Sequence, residues 1–317
     1  MTKKRLFYII AAGLITFGTV LFLIGFSLKG MNTENWMKKL EIKDNYYNVE
    51  ESFTSVSSNI CMGDFKIVQS KGKECTLEGK DVPKNALKVY VEDETLNIEL
   101  RLDEPKYWYY HVSFFNSIKS PEFTLSLPEA IYDNITVDLN LGKLSIENMN
   151  AKNITATCDC GDIKMAGIAS DYLEIDEDLG KVDLDNVSVK NKCNIESSCG
   201  DIKIKNSYMY GSGSYIANLG NFDITESTIT SGDWDIDCGD LNIKKSYIYG
   251  RNEIDIDLGS SDISLYGKAE DYSIVTDIDV GDVKINGIKG VHYNPGAKNS
   301  LEINLDCGDA DIDFMEE

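Results

Sequence analysis

CDCGDIKMAGIASDYLEIDEDLGKVDLDNVSVKNKCNIESSCGDIKIKNSYMYG, residues 158–211, holds Gly161, Gly180 and Gly200 at spacings of 19 and 20. Each glycine is followed by an alternation of charged or polar and apolar residues, the mark of a half-buried strand. Working outward, the same pattern runs from residue 138 to the C-terminus on Gly142, Gly161, Gly180, Gly200, Gly220, Gly239, Gly259, Gly281 and Gly308. The successive spacings are 19, 19, 20, 20, 19, 20, 22 and 27, and an earlier copy, MGDFKI, centres on Gly63. A fixed period of this length is the signature of a repeat architecture.

Two and four residues after each glycine the side chains are mostly aliphatic, as in Leu144 and Ile146, Ile163 and Met165, or Val182 and Leu184. Before it, the alternation runs back through Trp234, Ile236 and Cys238, or Ile254, Ile256 and Leu258. The fold expected is therefore all-β, a parallel β-solenoid with about 20 residues per rung. Each rung is read as two strands meeting at a glycine, then a short loop such as ENMNAKN or DNVSVKN. At least eight stacked rungs are expected between Leu139 and Ile312, with few helices. All five prolines (Pro83, Pro105, Pro121, Pro128, Pro295) fall outside residues 129–294, as ladder hydrogen bonding requires.

A two-rung period lies on top of the first: CGDIKIKNSYMYG matches CGDLNIKKSYIYG 39 residues on, and Leu and Cys alternate before the glycines. Stacking places Asp162 and Lys164 over Lys181 and Asp183, and these over Asp201 and Lys203, so opposite charges set the register. Cys160, Cys199 and Cys238 lie two rungs apart, about 9.6 Å from the strand spacing, too far for a disulfide. Their phase predicts buried, reduced thiols. The pair Cys158 and Cys160 lacks the partner pair of a zinc site.

The N-terminal part is organised differently. Residues 1–5 read as a cytoplasmic tail and Leu6 to Leu28 as one uncharged transmembrane helix, long enough to cross a bilayer. Basic residues before it place the N-terminus inside and the rest of the chain outside the cytoplasm. A linker, residues 29–49, leads to an N-terminal β region, residues 50–137, and then to the regular rungs, residues 138–317. In the β region, ALKVYVEDETLNIELR reads as two strands joined by a turn at Glu92 to Thr95. KYWYYHVSFFNSIKS packs Tyr107, Trp108, Tyr109, Tyr110, Phe114 and Phe115 into nine positions, either a cap over the first rung or an interaction surface.

The 31 basic and 53 acidic residues give a formal charge of −22, which excludes a nucleic-acid phosphate partner. With only His111 and His292, there is little raw material for histidine-based catalysis or metal binding. Asp159, Asp178, Asp237, Asp257 and Asp279 recur two residues before a glycine, so calcium shared between rungs is weighed against a solvated acidic face. No EF-hand spacing or nonapeptide calcium repeat occurs, and no cofactor is expected. A polysaccharide-acting β-helix enzyme would need two carboxylates in a cleft; no break in the repeat supplies one, and a non-enzymatic role is expected.

The order of anchor, VSSNICMGDFKIVQS, then TLSLPEAIYDNITVDLNLGKLSIENMNAKNITATCDCGDIKM resembles the bacterial membrane-anchored β-solenoid family of "putative adhesins", which includes LiaG-like proteins and is also called the toastrack domain. The resemblance covers roughly residues 50–315. It implies a Gram-positive envelope location, linkage to cell-envelope stress signalling, and no catalytic residues to carry over. Partners in keeping with it are another envelope or signalling membrane protein, or a cell-surface glycan. The eight cysteines depart from what a Gram-positive extracellular domain usually carries.

Overall fold

The computed structural model describes residues 41–102, 119–290 and 294–316. Strands dominate, and the one helical element among the described residues is a 3-10 turn, Ala269–Asp271. No helix among them is long and apolar enough to cross a membrane; residues 6–28 lie outside the described residues. The rungs belong to one compact unit, Lys43–Glu317.

Parallel pairing carries the stack. Asn150–Cys160 pairs in register with both Ile131–Leu141 and the strand Ile163–Glu177, which in turn pairs with Val182–Ser197. The step repeats through Ile202–Lys205, Phe222–Thr225 and Leu241–Leu258. Residues two and four after each glycine line the core, from Leu144 and Ile146 to Ala310 and Ile312; only Val283 is partly exposed.

Glycine stands at the corner because the backbones nearly touch there. A Cβ on Gly161, Gly180, Gly200 or Gly220 would overlap the carbonyl oxygen of the glycine one rung away, so no other residue fits. Six of the ten corner glycines also have φ between 126° and 153°, a region that L side chains rarely adopt.

Each rung has three sides, not two and a loop. After the second strand, Asn148, Gly167, Asn186, Asn206, Glu226 and Lys245 form a column with φ between 49° and 65° that turns the chain a second time. A third strand follows, seen where Ile168↔Val187 and Tyr208↔Thr228 pair. The turn leaves its first N–H groups facing the neighbouring rung, and buried serines accept them: Val187 N–H donates to Ser207 Oγ (3.1 Å), Ser207 N–H to Ser227 Oγ (3.1 Å), and Ser227 N–H to Ser246 Oγ (3.2 Å). ENMNAKN and DNVSVKN read as loops because asparagine is a turn residue. The inward Val, Ile and Ser that follow it were the overlooked signal.

Stacking order follows chain order only in the middle. Asn299–Cys307 pairs with Leu241–Leu258 on one side and Tyr272–Val280 on the other, so the last rung in sequence sits inside the one before it. At the other end Ser55–Ile60 lies between Thr95–Leu100 and Ile131–Leu141. The expected hairpin is present: Leu87–Glu92 pairs antiparallel with Thr95–Leu100 through Asp93 and Glu94, both at positive φ.

Candidate functional site

The outer corners and faces of the rungs carry the groups available to a ligand. Three are built well enough to describe, and one further group lies inside.

The first is an apolar ridge. Leu141, Cys160, Leu179, Cys199, Leu219, Cys238, Leu258, Cys307 and Val280 follow one another up the stack in that spatial order. Leu141 is 47% exposed, Leu179 and Leu219 53%, Leu258 56% and Val280 63%; Cys238 and Cys307 are exposed, and Cys160 and Cys199 half-buried. This corrects the expectation of buried thiols at Cys160, Cys199 and Cys238. The stacked glycine carbonyls fill the inside of the corner, so the residue before the glycine is turned outward and strand alternation ends two positions earlier. The thiols that are buried, Cys75, Cys158 and Cys193, stand elsewhere, and burial pushes Cys193 up to about 12. The four ridge cysteines, Cys160, Cys199, Cys238 and Cys307, are free thiols.

Charges flank the ridge. On one side stand Asn140, Asp159, Asp178, Ser198, Asn218, Asp237, Asp257, Asp306 and Asp279, one rung apart. Ser198 and Asn218 interrupt the acids, and Asp159 accepts a hydrogen bond from Asn140 Nδ2 (2.8 Å). The carboxylates rise in single file, and no group of three metal-ligating side chains forms among the described residues. On the other side, the residue after each glycine reaches across to its neighbour. Asp201 Oδ1 accepts Asn221 N–H (3.2 Å), which with nearby Lys181 holds its carboxyl below the usual range, and Asp240 Oδ1 accepts Ser260 N–H (2.9 Å). Lys143 meets Asp162 at 3.7 Å and Lys181 meets Asp201 at 3.2 Å, while Lys164↔Asp183 and Asp183↔Lys203 stand in register.

The second is a tyrosine face on the third side. Tyr208 and Tyr210 stack at 5.9 Å and Tyr247 and Tyr249 at 5.6 Å, with Thr228 and Thr230 on the rung between. Tyr266 approaches Tyr247 at 5.3 Å. Beside them a groove of about 490 Å³ is lined by Tyr249, Tyr266, Glu270, Asp271 and Lys298 among others. The 39-residue match noted in the sequence is what repeats the tyrosine pair. Tyr107, Trp108, Tyr109, Tyr110, Phe114 and Phe115 lie outside the described residues.

The third is a groove of about 550 Å³ beside Gly213 and Gly232, lined by Asp233, Asp235, Arg251, Glu253 and Asp255. Burial, then Asp237, Asp255 and Asp257, raises the Asp235 carboxyl above its ordinary value. The glycines leave room underneath for the rings of Tyr215 and Trp234, which stack at 4.2 Å.

Inside, Glu177 occupies a core position that Cys158 and Ser197 hold on adjacent rungs. Ser197 Oγ donates to its Oε2 at 2.7 Å, while Oε1 has no partner. Burial, outweighing that bond, pushes the carboxyl up to about 7, with Asp178, Asp162 and Asp176 adding to the rise.

No curated protein matches the chain. A solved structure from Bacteroides fragilis described as a "putative adhesin" aligns over 87% of this chain and 97% of its own, at 16% identity and a TM-score of 0.41. A "putative cell adhesion protein" from Clostridium sporogenes aligns over 87% and 100% at 17% identity with a TM-score of 0.26. A "putative lipid binding protein" from Parabacteroides distasonis aligns over 86% and 97% at 14% identity with a TM-score of 0.40. The family model Toastrack DUF4097 matches residues 59–247, a stretch that opens on the first glycine rung and closes on the second tyrosine pair. By that match, over more than half its length, the chain belongs to the Toastrack DUF4097 family.

Proposed function

We propose that this chain is a non-enzymatic adhesion module, anchored in the cell membrane through Leu6 to Leu28 and displayed outside the cytoplasm, that contacts cell-surface glycan. The tyrosine face carries this reading. Two tyrosine pairs two rungs apart, in which Tyr208, Tyr210 and Tyr249 are exposed and Tyr247 is half-buried, with threonines between and a polar groove beside them, offer rings for stacking on sugar faces and hydroxyls, carboxylates and a lysine for hydrogen bonds to them. Co-sedimentation of the full chain with purified cell-wall polysaccharide is the test, with Tyr210→Ala and Tyr249→Ala as variants. Binding that falls at least tenfold in the double variant, with an unchanged melt, supports the reading; equal binding overturns it. Recovery of a membrane-bound signalling protein instead would favour an envelope-stress role.

The acidic groove favours a second reading, a polysaccharide-acting enzyme, because burial and then the surrounding carboxylates raise Asp235 above its ordinary value. Release of reducing ends from polysaccharide by the native chain, lost in Asp235→Asn, would establish it.

A further inference from the structure

Nine apolar residues follow one another along one edge, seven of them exposed and Cys160 and Cys199 half-buried. At the rung spacing, the ridge from Leu141 to Val280 is about 40 Å long, and contiguous exposed apolar surface of that kind marks an interaction site. Its two halves differ in charge. In the first half, Lys143 and Lys181 alternate with Asp162 and Asp201 on one flank and neutralise them, and the other flank carries Asn140, Asp159, Asp178 and Ser198. Beside Cys238, Leu258, Cys307 and Val280 stand Asp237, Asp257, Asp306 and Asp279 on one flank and Asp240, Ser260, Asp309 and Asp282 on the other. Lys289 meets Asp282 at 2.6 Å, but Asp237, Asp257, Asp306 and Asp279 have no basic partner among the described residues. Burial raises the nearby Asp235 carboxyl, and the charges of Asp237, Asp255 and Asp257 add to the rise.

We infer that the C-terminal half of this ridge is a docking track for a cationic amphipathic helix. Charge complementarity selects the occupant: an apolar strip between two rows of carboxylates fits a helix whose apolar stripe is bordered by lysine or arginine. Geometry agrees, since a helical turn advances about 5.4 Å and a rung about 4.8 Å, so one apolar side chain per turn can seat between successive ridge residues over four rungs. About ten helical residues cover that distance. A second copy of this chain fits poorly, because two acidic flanks would face each other. The inference is independent of the glycan reading, which concerns another face.

The full chain in mild detergent is titrated with a synthetic helical peptide of leucine and lysine arranged with one apolar stripe, using detergent alone as the blank. Binding should weaken at least tenfold in the double variant Leu258→Ser, Val280→Ser, fall in raised salt, and change little in Leu141→Ser, Leu179→Ser. The ridge side chains are exposed, so the melts should not move; should the double variant fail to fold, Asp257→Asn with Asp306→Asn reads the same surface. Equal loss in the two leucine variants, equally tight binding of polylysine without leucine, or no binding overturns the proposal. So does concentration-dependent dimerisation of the native chain abolished by Leu258→Ser, or binding to zwitterionic vesicles in place of the peptide. Loss of polysaccharide binding in the tyrosine variants would leave this result untouched, so failures of the two readings are distinguishable.

Discussion

The rungs from Gly142 to Gly259 stack in the order in which they are synthesised; the rungs at either end do not. In the middle, each glycine lies against the next one in sequence, 19 or 20 residues on. At the N-terminal end Gly142 lies against Gly63, and at the C-terminal end Gly308 is interleaved between Gly259 and Gly281. Both excursions finish in antiparallel pairs. Thr95–Leu100 is covered by Leu87–Glu92, Glu122–Leu127 by Cys75–Pro83, and Val283–Ile285 by Ile288–Lys289 through the left-handed pair Asn286 and Gly287. An open parallel end would present unpaired N–H and C=O groups to any passing strand. Overshooting and returning lets the chain cover part of each end with a hairpin, a local structure that a 20-residue repeat cannot encode.

The sharpest way to break this contrast is deletion of residues 299–317. In a stack built in chain order only the terminal rung would be lost. Here the deletion removes the rung between Leu241–Leu258 and Tyr272–Val280, so residues 272–289 should also lose their protection. Amide hydrogen exchange across that segment reads the outcome, and protection retained there would show that the interleaving is wrong.

Next in size is the corner itself. Gly200→Ala should prevent folding or cost more than about 3 kcal/mol, because its Cβ would overlap the Gly180 carbonyl oxygen. Gly72→Ala, in the irregular N-terminal region with nothing within 4 Å, should stay within about 0.5 kcal/mol. Denaturant melts of the two variants compare middle and end directly.

Those corners were legible in the sequence, since glycine spacing and aliphatic alternation report the position of a residue within a rung. Stacking order was not, because Gly63, Gly281 and Gly308 satisfy the corner equally well in any order; the widened spacings of 22 and 27 were the only mark of the C-terminal exchange. The ridge was misread for a related reason. Cys160, Cys199 and Cys238 share the parity of buried residues, and parity loses its meaning where the backbone bends. Glu177 also escaped notice, as an acid among acids in EIDEDLG, although it falls on the inward phase with Leu173 and Ile175.

That phase makes the middle of the stack pH-dependent in a way its ends are not. With the Glu177 carboxyl at about 7 when folded and its ordinary 4.5 when unfolded, the folded state holds the proton more tightly between those values. Stability should therefore be greatest below about pH 4.5 as far as this group is concerned, fall as pH rises to about 7, and level off above. The loss is on the order of 3 kcal/mol. Because many surface acids titrate too, the readout is the difference between the native chain and Glu177→Gln: melting temperatures should converge at low pH, with the variant higher at pH 8. Parallel curves would remove Glu177 from the account.

The smallest effect compares charge columns. Three residues after the glycine, the middle rungs alternate Lys164, Asp183, Lys203 and Asp223, whereas toward the C-terminal end Asp262 stands directly beside Asp311. Lys203 reaches Asp223 at 3.8 Å, and both are part-exposed, so the pair alone contributes little. Its reversal does more, because Lys203→Asp would place three like charges on consecutive rungs. A cost of about 0.2–1 kcal/mol is expected, recovered when Lys164→Asp, Asp183→Lys and Asp223→Lys are added to rebuild the alternation. The same reversal should have the opposite sign at the other end: Asp262→Lys relieves a like-charge contact with Asp311 and should raise stability by a few tenths of a kcal/mol. Melts at low salt, where exposed charges are least screened, test both signs. If Asp262→Lys destabilised as much as Lys203→Asp, the charge columns would be mere solvated surface and register would rest on the glycine corners and the core alone.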